Sequence, residues 1–341
     1  MRHTVVLLLA LGIAGCSRQE KVPVVVYSPH GRELLSEFQR RYEAAHPDQE
    51  VHWLDMGSQD AYDRIRTERE NPQADIWWGA PMLIFAKAEK EGLLDRYIPS
   101  WDSAVVPEFK SPGGFWYGTF LTPEVIVYNS NAVDSADAPR DWNDLLDPTW
   151  KGNIIIRAPL ASGTMRIVFA SLIEREKERE GSVEQGFAWL RRLDANTGSY
   201  AADPTQLYLK IARQEGLVSV WDLPDIIVTK GAYGYPFGYV VPSSGTPLIT
   251  DCIALVRHAP HSAQAKQFYE FVTSVESACD QATQFARIPV RRDIQKSALP
   301  SWMASLDIKP MNINWDSVAA HEKEWMKIWD DKIKGQGQRT P

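Results

Sequence analysis

The sequence predicts an α/β protein built as two lobes. Short β-rich runs alternate with amphipathic stretches through the first hundred residues, the alternation restarts near residue 153, and two long apolar strands lie between and after the two series. Alternating strands and helices imply a parallel sheet with helices on both faces. At 341 residues the chain exceeds what one hydrophobic core organises, about 250–300 residues, and its 44% apolar content is ample for two cores.

Arg2 precedes an apolar run from Val5 to Gly15, the layout of a secretory signal. That run falls well short of the roughly 20 residues a membrane-spanning helix needs. The order Ile13-Ala14-Gly15-Cys16 resembles the lipobox of bacterial lipoproteins. The resemblance implies removal of residues 1–15, acylation of Cys16 and a lipidated tether over residues 16–21, so the chain is expected outside the cytoplasm, in the periplasm or on the cell surface, held at a membrane by its lipid.

The run Val22 to Tyr27 reads as a strand, Ser28 to Gly31 as a loop and Arg32 to His46 as a helix. Val51 to Leu54 opens a second strand, Gly57 to Asp60 a loop, and Ala61 to Glu70 a helix. Ala74 to Trp78 forms a third strand ending at Gly79-Ala80-Pro81, and Met82 to Glu91 a helix stopped by Gly92. Gly118 to Asn129 is an extended run long enough to leave one lobe and enter the other. In the second series Asn153 to Arg157 is a strand, Ala161 to Thr164 a loop, Met165 to Arg179 and Glu184 to Leu193 are helices, and Val218 to Trp221 is a strand. Leu248 to Val256 could carry the chain back, giving two hinge-crossing strands; Ser262 to Val275 and Val318 to Ile333 then read as helices, with a turn at Ile288 to Arg291. The expected division is residues 22–121 with 248–305 in lobe 1 and 122–247 with 306–341 in lobe 2.

Formal charge is −7, or −8 once Arg2 leaves, which argues against a nucleic-acid surface. The stretch Glu174 to Glu180 mixes signs and reads as a solvated helix face. Cys252 and Cys279 have no CxxC spacing, so neither a zinc site nor a redox motif is expected, and whether they pair is open. GxSxG, HExxH and SxxK are all missing from the sequence, and no cofactor motif is present, so an exported hydrolase is a disfavoured class.

Several segments, in order, resemble the family 1 extracellular solute-binding proteins of ABC importers: Val25-Val26-Tyr27-Ser28, Ala74-Asp75-Ile76-Trp77-Trp78-Gly79, Val127-Tyr128-Asn129, Asp147 to Gly152, Ser162-Gly163-Thr164, and Val241 to Pro247 leading into Asp251 to Leu255. The resemblance implies a periplasmic-binding-protein type II fold, a monomer that closes on a small molecule by hinge motion and delivers it to an inner-membrane permease. A sensing subunit reporting to a receptor would share the same cleft.

Loops at the carboxyl ends of strands in such sheets take ligands, because helix N-termini there present unpaired N–H groups. Ser162, Gly163 and Thr164 at a helix start, with Arg166 close by, suit an anionic oxygen, although a Ser or Thr there could simply cap the helix. Ser28 and His30 hold the corresponding place in the first lobe, where His30 could equally be a solvent-facing loop residue. Trp77 and Trp78 alternate in direction, so one should enter the core and Trp78 could wall the cleft. Asp222 and Asp225 follow a strand end and could accept a hydroxyl or ammonium group, or cap the next segment. The ferric binders of the family carry an adjacent tyrosine pair where this chain has Trp221 to Asp225, so no metal is expected; were iron the ligand, His30, Tyr233 and Tyr235 would be its candidates. A phosphonate or sugar phosphate is the favoured ligand.

Overall fold

The computed structural model describes residues 21–304 and 306–336. The signal, Cys16 and most of the tether lie outside the described residues. The elements run β1 (Val22–Ser28), α1 (Arg32–Ala45), β2 (Gln49–Asp55), α2 (Ser58–Thr67), β3 (Ile76–Pro81), α3 (Met82–Lys90), β4 (Leu94–Asp95), β5 (Tyr117–Asn129) and β6 (Ile154–Arg157). They continue α4 (Gly163–Glu180), α5 (Val183–Asn196), β7 (Thr197–Ala201), α6 (Pro204–Ala212), β8 (Val218–Asp222), α7 (Leu223–Tyr233) and β9 (Phe237–Val240). The last part is β10 (Leu248–Val256), α8 (Ser262–Val272), α9 (Val275–Phe285), β11 (Ile288–Pro289), α10 (Ser301–Ala304) and α11 (Trp315–Lys332).

The strands follow one hydrogen-bonded path, β2-β1-β3-β10-β5-β8-β6-β7. β1, β2 and β3 are parallel, as are β6, β7 and β8, which is the part the alternation predicted. The two long strands depart from it: β10 runs antiparallel to β3 and β5, and β5 antiparallel to β8. A strand that enters a lobe from its neighbour has no crossover helix and is free to take the opposite direction.

β5 joins the two lobes. Tyr117 to Pro123 pair with β10 in lobe 1, and Glu124 to Asn129 pair with β8 and β9 in lobe 2, so the change of partner falls between Pro123 and Glu124. The chain returns beside it: Thr246 Oγ1 donates to the Glu124 carbonyl. A third pass follows, since Thr246 N donates to Lys309 O at 2.9 Å and Met311 N to Thr246 O at 2.8 Å. Gly245 has φ +107°, and a Cβ there would lie 3.0 Å from the Pro310 carbonyl oxygen, so the close approach of these two passes depends on glycine.

Both faces of the lobe-1 sheet are covered. Val24, Val26, Phe38, Trp78 and Phe268 pack on one side, and Tyr27, Tyr62, Trp77, Phe85 and Cys252 on the other. Lobe 2 has a single large core that takes in Ile154 to Ile156, Phe169 and, from α11, Trp325 and Trp329. The mixed-charge stretch is a solvated face only in its last part: Glu178, Arg179 and Glu180 are exposed, whereas Glu174 and Glu176 are buried, with Lys177 Nζ and Ser317 Oγ of α11 donating to Glu174 and Arg175 and Arg179 pairing with Glu176. Cys252 and Cys279 are free thiols. Among the described residues no helix is long and apolar enough to cross a membrane.

Candidate ligand-binding site

Loops following strands of both lobes meet in the gap between them. On the lobe-1 side α1, α2 and α3 start at Gly31, Gly57 and Pro81 with no side-chain cap, which leaves first-turn N–H groups without a side-chain acceptor. On the lobe-2 side α4 to α7 are all capped, by Ser162, Ser182, Asp203 and Asp222. Ser162 Oγ accepts from Met165 N at 3.1 Å, so its hydroxyl serves the helix first. The gap is closed: a Cβ on Gly163 would lie 3.1 Å from Ser58 Cβ and 3.3 Å from Ile84 Cδ1. α2 begins at Ser58, inside the segment expected as a loop, and this brings its N-terminus against α4.

Arg157, the last residue of β6, reaches this contact. Its Nη1 donates to Ala201 O at 3.3 Å and its Nη2 to Ala161 O at 3.1 Å, while Nε is buried without a partner. Burial pushes the guanidinium pKa down, and Asp203 and the lobe-1 residue Asp60 act against that. Arg166, the expected cation, turns into lobe 2: Nε lies 3.0 Å from Glu322 Oε1 on α11, and Nη2 donates to Leu160 O at 3.0 Å. Thr164 is half-buried beside it.

Near the hinge a second group forms. Glu124 and Asp222 are directly opposed across the β5–β8 pair, and Phe120, Thr122 and Glu124 share a strand face. Thr122 Oγ1 donates to Asp251 Oδ2 at 2.7 Å, and Ala80 N donates to Asp251 Oδ1 at 3.3 Å from a backbone at φ 112°, a strained conformation for a residue with a Cβ. Asp222 caps α7 by accepting from Asp225 N at 2.9 Å. Asp225 accepts from Tyr208 Oη at 2.8 Å and pairs with Arg287 Nη2 at 3.4 Å. Glu124 is fully buried with neither carboxylate oxygen partnered. Its pKa is pushed well up by burial and then by Asp222, Asp251 and Asp225; Asp222 is raised by burial and Asp225, and Asp251 by burial.

His30 lies against Trp78 at 5.3 Å and Phe120 at 4.9 Å, in the space a Cβ on Gly79 would need, so it is not the solvent-facing loop residue that was one reading of it. Its Nε2 is buried without a partner, and burial followed by Arg287 holds its pKa well below 6.5. Ser28 is buried and its Oγ accepts from His30 N at 3.2 Å. Trp78 does not wall the cleft: both tryptophans are fully buried, because helices cover each face of the sheet and strand alternation sends one ring into each layer.

Tyr233 and Tyr235 are not brought to His30. Tyr233 ends α7, about 16 Å along the helix axis from its Asp222 cap, and Tyr235 lies by the Asn129 end of β5, where Ser130 N donates to Pro236 O. Among the described residues no group of three or more His, Cys, Asp or Glu side chains is placed to hold a metal ion.

The sequence reading missed Arg157, Glu124, Asp251 and Arg287. The first three carried a signal, a charged residue ending or interrupting an apolar strand, as in Ile154-Ile-Ile-Arg157 and Thr250-Asp-Cys-Ile253. Arg287 stands after a helix the sequence did not disclose.

Two α/β lobes joined by three chain passes, with open helix starts and buried charges gathered in the gap, define a hinged solute-binding protein. The chain belongs to a known family of that class: the profile described as bacterial extracellular solute-binding protein matches residues 37–306. A probable ABC transporter periplasmic-binding protein of Sinorhizobium fredii is 26% identical over 91% of this chain and 86% of its own length. A Salmonella typhimurium protein named as a candidate 2-aminoethylphosphonate-binding periplasmic protein is 27% identical over 83% of this chain and 84% of its own. The solved periplasmic binding protein AfuA from Actinobacillus pleuropneumoniae, with fructose-6-phosphate bound, superposes with a TM-score of 0.79 over 92% of this chain and 99% of that one, at 23% identity, a likeness of fold.

Proposed function

We propose that this protein is the solute-capturing component of an ABC importer, tethered at the outer face of a membrane through acylated Cys16, and that it takes a small organic anion bearing a phosphoryl or phosphonyl group. Capture is by closure of lobe 1 on lobe 2 about the passes at Glu124, Thr246 and Pro310. The observation that carries the ligand class is the buried, unpartnered Nε of Arg157 beside the facing starts of α2 and α4. A buried donor without an acceptor costs about 1–3 kcal/mol, and an anion seated there would satisfy it together with free first-turn N–H groups. Gly163, Thr164 and Ser162 line the lobe-2 side of that seat. Two of the names support the reading, since 2-aminoethylphosphonate and fructose-6-phosphate both carry such a group, while other relatives are named for iron uptake.

The anion stabilises the closed state only because it touches both lobes; a ligand held equally by open and closed forms would shift nothing. A thermal-shift screen of the chain from Ser17 onward tests the reading. Phosphonates or sugar phosphates at 100 times their dissociation constant should add about 2.7 kcal/mol of stability, whereas stabilisation by ferric ion alone, with none by any phosphoryl or phosphonyl compound, sinks it.

A further inference from the structure

We propose that the solute is a zwitterion, whose second pole is an ammonium group docking on Glu124 between the lobes. The proposal rests on the phosphoryl or phosphonyl reading for its first pole and adds the chemistry of the other.

Four carboxylates, those of Glu124, Asp222, Asp225 and Asp251, gather where β5, β8, β10 and the start of α7 meet. Arg287 is the cation that acts on Asp222, Asp225 and Asp251, and it stacks on Phe120 with its Cζ 5.1 Å from the ring centroid. Each aspartate has its own donors: Thr122 and Ala80 for Asp251, the Asp225 amide for Asp222, and Tyr208 and Arg287 for Asp225. Glu124 has none, although it is 0% exposed. A neutral carboxyl would still need a hydrogen-bond partner in such a place, and an ionised one needs a positive charge. A water could satisfy the first need but not the second. A primary ammonium offers three donors and one charge on a compact head. A metal ion fits less well, because no three acidic or imidazole side chains among the described residues are placed to ligate one.

Arg157 and Glu124 sit on strands that flank β8 on either side, two strand spacings or about 10 Å apart, a separation that their two long side chains and a small zwitterion together can span. Binding an ammonium would ionise Glu124 and release a proton. Asp222, Asp251 and Asp225 act on Glu124 directly, Tyr208 and Arg287 stand beside those aspartates, and His30 is next to Arg287 in turn.

Titration calorimetry of the mature chain with 2-aminoethylphosphonate, ethylphosphonate and putrescine decides the matter, run in two buffers of different ionisation heat near neutral pH. The expected result is binding of 2-aminoethylphosphonate at least about tenfold tighter than ethylphosphonate, with proton release, and loss of both the preference and the release in Glu124→Gln. Equal affinity of the two phosphonates for the wild-type protein overturns the proposal without any variant and leaves the anion reading standing. If neither phosphonate binds, the zwitterion proposal is overturned, while the anion reading is decided by the sugar phosphates of the thermal-shift screen. Putrescine binding that survives in Glu124→Gln likewise overturns the ammonium site.

Discussion

Gly163 at the start of α4 and Ser58 at the start of α2 touch across the gap so closely that a methyl group on Gly163 would sit 3.1 Å from Ser58 Cβ. Two helix N-termini, each the equivalent of roughly half a positive charge, thus point toward one region. Two such ends repel each other, and an anion seated beside both would offset that repulsion.

Gly163→Ala should therefore weaken ligand binding without weakening the fold. The added methyl strains the closed state by about 1–3 kcal/mol, while an alanine favours the helix in both states. We expect affinity to fall about 5- to 150-fold with an unchanged or raised melting temperature in the absence of ligand. Calorimetry and small-angle scattering with and without ligand read the two effects, and full affinity in the variant would mean that the contact does not form on closure.

Arg157→Met and Arg166→Met should differ. Loss of charge-assisted hydrogen bonds at Arg157 removes about 1.5–3 kcal/mol of anion binding, roughly a 10- to 150-fold rise in Kd for a phosphonate. Arg166→Met strands Glu322, whose pKa burial already raises, and should lower the melting temperature more than the affinity. The opposite ranking in binding would return the anion seat to Arg166.

The hinge carboxylates give a pH signature. Glu124, Asp222 and Asp251 titrate above their ordinary values of 4.5, 3.8 and 3.8 in the folded protein, so the fold binds these protons more tightly than the unfolded chain does. Their stabilisation is complete below the ordinary values and is lost as pH rises through the raised ones. Asp102, held down by Lys110 and Tyr117, works in the other direction, and its contribution fades as pH falls through its depressed value. Between about pH 5 and 8 buried His30 opposes the three carboxyls, because its folded value lies well below 6.5 and the unfolded chain takes up that proton first. With three groups against one, the ligand-free protein should melt higher at about pH 5 than at about pH 8, and Glu124→Gln should raise the melting temperature at neutral pH and flatten the slope. A steeper slope in the variant would assign the effect to other groups.

Palmitate labelling tests the tether. The wild-type chain should incorporate labelled palmitate and sediment with membranes, and Cys16→Ala should do neither; equal labelling of both would remove the anchor.

The α/β class was legible because the strands of both lobes are short β-branched runs with amphipathic helices between them, and the crossing at β5 because thirteen extended residues cannot stay within one small lobe. β7, α6, α7, β9 and α9 went unread. α7 is apolar on most sides and carries Pro224 and Gly231, so it lacks a helical period, and β9 hides in the Gly-Pro-Tyr stretch after Tyr233. In the site, Ser162 to Thr164 stood out as a helix start, and Asp222 and Asp225 as a strand end. Glu124 and Asp251 did not, since only pairing across β5, β8 and β10 shows that they share a place. Trp78 misled because alternation predicts opposite directions but not that both directions are core.

β10 lies between β3 and β5 in the lobe-1 sheet, yet it is made after all of β6 to β9. Lobe 1 consequently has an unfilled slot at its centre until residue 256 has been delivered. The sheet of the leading 120 residues is therefore completed by a strand made more than a hundred residues later. Non-local strand pairing makes folding slow, so closure of the lobe-1 sheet by β10 is expected to be a late step, after lobe 2 has its own strands in place.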